Sequence, residues 1–222
     1  MSSFLYRNRA FLTPFILLWF GVGYTQLFYS QNFIIVELNR LWTPFGDVFF
    51  SLSTYLGDGL FVIPLGLIAL YYSYQKGILI LVGFAISGIL VQISKQYIFR
   101  DSYRPSRVLA DVLPWLHTVA GVTTYQNASF PSGHTTSAFA LFATLAFFSN
   151  SSYVKMLCLV PAIMVAYSRM YLLQHFLLDV HVGALLGTTT AILCCYYLTS
   201  WWEYRSVKWA DLGLRDRIRK NG

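Results

Sequence analysis

His175 and Asp179 stand four residues apart, so on a helix they share one face. A carboxylate beside an imidazole accepts from one ring nitrogen and fixes the tautomer. The other nitrogen is then free as a base or nucleophile. Upstream, His134 offers a second imidazole, suited to protonating a leaving group. Lys95, Arg104 and Arg169 are three fixed cations that match the charge spread over a phosphoryl group in transfer. Ser132, and the backbone amides around Gly133 at a predicted helix start, add neutral donors to the same anion. Together these residue types describe phosphoryl transfer through a phosphohistidine.

The candidates fall in three polar islands, Lys95–Pro105, Pro131–His134 and Ser168–Asp179, within an otherwise apolar chain. Of its 222 residues 56% are hydrophobic and only 11% are charged, against about 25% charged in a soluble domain. With a mean hydropathy of +0.54, this composition predicts a polytopic membrane protein. Ionisable groups at membrane depth are costly, so islands of them point to function. The net charge of +7 does not indicate nucleic-acid binding, because Arg and Lys fall in short segments between and beyond the apolar runs. There they set topology or meet phosphate. Cys158, Cys194 and Cys195 lie inside apolar runs, which argues against disulfides or metal ligation and for small core side chains.

The elements that must carry the islands follow from the apolar runs. The predicted fold is an all-α integral membrane protein of six transmembrane helices, forming one domain over residues 1–222. The first span runs from about Phe11 to Ser30 behind Arg7 and Arg9. Residues 31–43 read as a helix lying in the interface, broken by Pro44, Gly46 and Asp47, with a turn at Gly57-Asp58-Gly59. Further spans are expected at about Leu60–Tyr74, Ile78–Phe99, Thr135–Phe148, Tyr153–Leu173 and Phe176–Leu198. A long polar loop, Arg100–Gly133, joins the third and fourth, and a basic tail follows from about residue 203. Six spans put both termini on one side. Ten of the 16 basic residues flank that side, which the positive-inside rule makes cytoplasmic. All three islands then meet at the opposite, periplasmic or exterior face.

These motifs resemble the type 2 phosphatidic acid phosphatase superfamily. Ser168-Arg169, five residues, His175, three residues and Asp179 match its third motif, and Pro131-Ser132-Gly133-His134 its second. The segment from Lys95 to Arg104-Pro105 resembles the first. Eight residues separate Lys95 from Arg104 where the family usually has six, and Tyr97 stands at the lysine's usual place. The resemblance implies that His175 attacks phosphorus, that Asp179 orients it, and that His134 protonates the departing oxygen. It further implies that Lys95, Arg104, Ser132, Gly133 and Arg169 hold the phosphoryl oxygens, without a metal or other cofactor.

Other polar residues have simpler readings. His181 is expected to be structural or interfacial, and His117 receives no role. Asp101, Arg107 and Asp111 read as solvated loop charges, and Gly183 and Gly187 as a small-residue pair for close helix packing. The expected function is a lipid phosphatase of the bacterial inner membrane acting on a phosphate or pyrophosphate head group. Undecaprenyl pyrophosphate is ranked first, ahead of phosphatidylglycerol phosphate, phosphatidic acid and lipid A phosphates. A lipid-to-lipid phosphotransferase using the same phosphohistidine, and a non-catalytic lipid-binding or transport protein, are the alternatives. The partners expected are the bilayer and its lipid phosphate, with no nucleic acid and no oligomeric state specified.

Overall fold

The computed structural model describes residues 1–205 and 212–216, and every element named among them is helical. In chain order the helices are α1 (Ser2–Arg7), α2 (Arg9–Phe28), α3 (Gln31–Asn39), α4 (Pro44–Ser53) and α5 (Gly59–Tyr72). Next come α6 (Tyr74–Ile93), α7 (Pro105–Val108), α8 (Gly133–Phe148), α9 (Ser152–Leu157), α10 (Leu159–Tyr171) and α11 (Leu177–Tyr204). A 3₁₀ turn, Thr54–Gly57, follows α4, and a π turn, Ser94–Ile98, prolongs α6.

Among the described residues, three stretches are long and apolar enough to cross a membrane: Tyr74–Ile98, Ser152–Tyr171 and Leu177–Tyr204. Pro44–Gly57 and Gly59–Tyr72, bent by 50° at their junction, together qualify as a fourth. The chain is an integral membrane protein. The first and fourth expected spans correspond to α2, with 20 residues, and to α8, whose 16 residues fall short of the roughly 20 needed to cross upright. Of the expected basic tail, Lys208, Arg217, Arg219 and Lys220 lie outside the described residues.

The largest departure from the sequence reading is α4. Pro44, Gly46 and Asp47 read as a break, yet they open a helix. Pro44 occupies the first turn, where its missing N–H costs nothing, and the Thr43 hydroxyl accepts from the Gly46 amide at 2.9 Å. This helix and the 3₁₀ turn after it pack against α10 and bring Thr54 and Asp58 to the polar islands.

Helix α8 is the axis of the bundle. It is buried along most of its length and packs against α6, α10 and α11. In lipid the hydrophobic effect drives helix association little, so close backbone approach carries more of the packing. A Cβ at Gly187 would lie 2.2 Å from the Thr136 carbonyl oxygen, and one at Gly183 would lie 2.9 Å from that of Ser132. These two glycines set α11 directly against α8. Helix α2 is tied to α11 through His181. Its Nε2–H donates to the Trp19 carbonyl at 3.0 Å, and its Nδ1 accepts from the Gln26 amide at 2.8 Å. At the far end of the bundle, buried Lys155 donates to the Arg7 carbonyl at 2.8 Å and to the Asn8 side chain.

Candidate active site

The turn that carries His175 is built by the end of α10. The Leu173 amide donates to the Met170 carbonyl at 3.0 Å, and the Gln174 amide donates to that of Arg169 at 2.9 Å. This is the doubled bond pattern of a Schellman motif, with Leu173 at φ +52 in the left-handed position that glycine usually takes. The Leu173 side chain is buried with Ile35 of α3 and Leu109 of the long loop. His175 follows immediately and is 1% exposed.

The His175 Nδ1 lies 3.3 Å from the Asp179 Oδ2. That oxygen also accepts from the Ser129 hydroxyl at 2.5 Å and from the Phe176 amide at 2.9 Å. The carboxylate is therefore fixed by the first turn of α11 and by the segment before α8. An Nδ1–H directed at Asp179 leaves the lone pair on Nε2, which makes no hydrogen bond to a described residue. Burial holds the His175 imidazole well below the ordinary histidine range. The fields of Arg169, Arg104, Lys95 and His134 push it the same way.

Those four groups surround it. Arg104 is anchored on three sides: its Nε donates to the Asn127 carbonyl at 3.0 Å, and its Nη1 donates to the backbone and side-chain oxygens of Gln174 at 3.2 and 2.9 Å. The Gln174 amide in turn donates to the Thr123 carbonyl at 2.6 Å, so the long loop and the His175 turn hold one another. Arg169 donates from Nη1 to the Thr54 hydroxyl at 2.7 Å, while its buried Nε has no partner among the described residues. Lys95 lies on the π turn, within electrostatic reach of Arg104, Arg169 and Asp179. The chain from Lys95 to Arg104 runs through that π turn and the Phe99–Ser102 turn after it.

Ser132 and Gly133 begin α8. Ser132 is fully buried, its amide donating to the Asp179 carbonyl at 3.1 Å and its hydroxyl pairing with that of Thr135 at 2.9 Å. The Gly133 and His134 amides, in the first helical turn, have no acceptor within the helix. The His134 Nε2 meets the Asp58 Oδ2 at 3.3 Å. The turn before Asp58 passes so close beneath that a Cβ at Gly57 would lie 2.3 Å from the His134 carbonyl oxygen.

The structure thus brings His175, Asp179, His134, Lys95, Arg104, Arg169, Ser132 and Gly133 into one cluster. Sequence reasoning missed four partners: Thr54, Asp58, Ser129 and Gln174. Asp58 left a signal, a carboxylate flanked by glycines among apolar runs, and Gln174 stands inside the third motif. His117 lies outside the cluster. Its Nε2 meets the Asp47 carboxylate at 2.9 Å, and its ring stacks on Trp42 with centroids 4.0 Å apart. Arg107 is exposed and donates to the Asn127 side chain at 2.6 Å. Among the described residues no three His, Cys, Asp or Glu side chains converge as metal ligands.

This geometry has parallels among known proteins. The phosphatidylglycerophosphatase B of Bacillus subtilis is 31% identical over 148 residues, which is 60% of this chain and 66% of that protein, just under two thirds of its length. The crystal structure of Aquifex aeolicus LpxE superposes with a TM-score of 0.64 at 29% identity, covering 74% of this chain and 93% of that one. The structure of a transmembrane PAP2-type phosphatidylglycerolphosphate phosphatase from Bacillus subtilis also gives a TM-score of 0.64. At 24% identity it covers 88% of this chain and 97% of that one, and it shows a common fold. The profile of the PAP2 superfamily matches residues 76–203, more than half of the chain and all three polar islands, and the protein belongs to that superfamily of type 2 phosphatidic acid phosphatases.

Proposed function

We propose that this protein is a lipid phosphatase that removes a phosphate or pyrophosphate head group through a phosphohistidine. The observation that carries the reading is the convergence of Lys95, Arg104 and Arg169 on a buried, neutral His175 backed by Asp179. Three cations around an uncharged nucleophile suit a dianionic phosphoryl group. The unpartnered Arg169 Nε is a donor for one of its oxygens.

In the first step the His175 Nε2 lone pair forms a bond to phosphorus as the bond to the lipid oxygen breaks. His134 delivers a proton to that oxygen. Lys95, Arg104, Arg169 and the amides at Gly133 hold the equatorial oxygens, and Ser132 braces the amide turn through its buried hydroxyl. In the second step water attacks phosphorus, its proton passes to His134, and the nitrogen–phosphorus bond breaks, returning His175 to its starting state. Asp179 holds Nδ1–H throughout and stabilises the ring as it becomes cationic.

The topology that suits this reading has six membrane-crossing elements, with α2 and α8 as the first and fourth. Both termini then lie on the cytoplasmic face and the site on the other. The names of the relatives make phosphatidylglycerol phosphate the first substrate to test, with undecaprenyl pyrophosphate and phosphatidic acid beside it. Purified protein should release phosphate from at least one of them in detergent, and an acid-labile phosphoryl adduct should appear on quenching. His175→Ala should abolish both. Full phosphate release by His175→Ala on every lipid would refute the phosphohistidine.

A further inference from the structure

The turn between α4 and α5 holds a carboxylate that the phosphohistidine steps leave unused. The Asp58 Oδ2 lies 3.3 Å from the His134 Nε2, and each side chain is about one third exposed, at 32% and 33%. The other carboxylate oxygen, Oδ1, accepts from the Leu60 amide at 2.8 Å as the N-cap of α5. One oxygen is thus tied to its own helix, and the other meets the imidazole. On the far side Gly57 sits against the His134 backbone, closer than any side chain would permit. The turn is locked against the start of α8 through both the backbone and the side chain of His134.

We propose that Asp58 is the positioning residue of the general acid: it accepts the His134 Nε2–H, fixes the ring and its tautomer, and leaves Nδ1 as the atom that exchanges a proton with substrate. The inference rests on the phosphohistidine reading. The site then holds two carboxylate–imidazole pairs of opposite sense. Asp179 takes Nδ1 of His175 and exposes Nε2 for attack, whereas Asp58 takes Nε2 of His134 and exposes Nδ1 for proton transfer. Arg169 and Lys95 act electrostatically on the same His134 ring, and the Asp58 carboxylate opposes them. The protons balance. His134 gives the Nδ1 proton to the departing lipid oxygen and keeps the Nε2 proton on its own ring, donated in a hydrogen bond to Asp58, then recovers a proton at Nδ1 from the attacking water.

Leaving-group dependence distinguishes this role from a structural one. An alkyl phosphate expels a basic alkoxide and needs the acid, whereas an aryl phosphate such as p-nitrophenyl phosphate expels a weakly basic phenolate and does not. Asp58→Asn retains an N-cap of similar quality but lacks the charge. It should lower kcat/KM for a short-chain phosphatidate about 10- to 100-fold and that for the aryl phosphate less than about 3-fold. Asp58→Ser, a second capping residue, should behave alike. In a His134→Ala background neither change should add further loss. An equal loss on both substrates, no loss on either, or an additive loss in the His134→Ala background would overturn the assignment. His175→Ala separates the two levels: if it is inactive while Asp58→Asn fails these tests, only Asp58 is misassigned, and if it stays active the phosphohistidine reading itself fails.

Discussion

Gly187→Ala adds a single methyl group, and the structure fixes what that group meets. The new Cβ would lie 2.2 Å from the Thr136 carbonyl oxygen and 2.9 Å from both the Ala140 nitrogen and the Phe139 Cβ. Ordinary contact begins near 3.4 Å, and two of these three atoms are helix backbone that cannot rotate away. Helices α8 and α11 must separate by roughly 1 Å, an overpacking cost of about 1–3 kcal/mol. The displacement acts directly on the cluster, because α8 begins with Ser132, Gly133 and His134 while α11 begins beside His175 and carries Asp179. The bond from the Ser132 amide to the Asp179 carbonyl, 3.1 Å long, bridges the two helix starts and should lengthen or break. A misplacement of about 1 Å between reacting groups costs on the order of 100-fold in rate. The assay pairs phosphate release from a lipid substrate with a thermal melt in the same detergent. Gly88→Ala serves as control, since a Cβ there meets nothing within 4 Å. Gly187→Ala should lose about two orders of magnitude in kcat/KM together with several degrees of Tm, while Gly88→Ala keeps both. Wild-type turnover and melting in Gly187→Ala would show that the helix separation does not set the active geometry.

Removing the Thr54 hydroxyl in Thr54→Val leaves the Arg169 Nη1 without its acceptor beside an already unpartnered Nε. The expected result is a loss of about 1–3 kcal/mol in transition-state binding, read as a fall of roughly 10- to 100-fold in kcat/KM on a lipid phosphate. Lys95→Ala should likewise cut turnover on the same panel, and unchanged turnover would remove Lys95 from the site. The pH dependence has a defined sign. Because the folded-state value of His175 lies well below 6.5, the unfolded chain binds a proton there that the native protein does not. The associated stability is present above about pH 6.5 and is lost as pH falls toward the folded value, so Tm should decline on acidification more steeply in wild type than in His175→Gln. For the same reason the nucleophile stays neutral through that range, and an acid limb of activity near pH 6 must arise from another group.

The polar islands were legible because ionisable side chains stand out in apolar sequence and because the spacing of Arg169, His175 and Asp179 survives in one turn and one helix start. Their meeting at one end was an expectation drawn from counting six spans. Thr54, Asp58 and Ser129 were not legible, for a physical reason. Short polar side chains at helix junctions and in loops are read as caps and turns; Thr54 and Asp58 occupy such junctions, and Ser129 lies in the segment before α8. Asp58 serves in both ways, capping α5 with one oxygen and meeting His134 with the other. Thr54 and Asp58 also precede residue 76, where the superfamily match begins, so the resemblance drew no attention to them. Helix α4 was hidden by its proline, which marks a helix start as readily as a stop. The close passage of Gly57 beneath His134 depends on three-dimensional packing, and nothing in the local sequence marks it.

Leu173 has a consequence for how the nucleophile moves. Glycine at that position would satisfy the left-handed backbone without the penalty of roughly 1–2 kcal/mol that a leucine incurs. It would also turn the end of α10 into a swivel, free to sample many orientations of the residue two positions on. The buried leucine side chain, clasped by Ile35 and Leu109, makes that joint a corner instead. Backbone comfort is given up, and in return an imidazole that must meet phosphorus from one direction arrives already aimed.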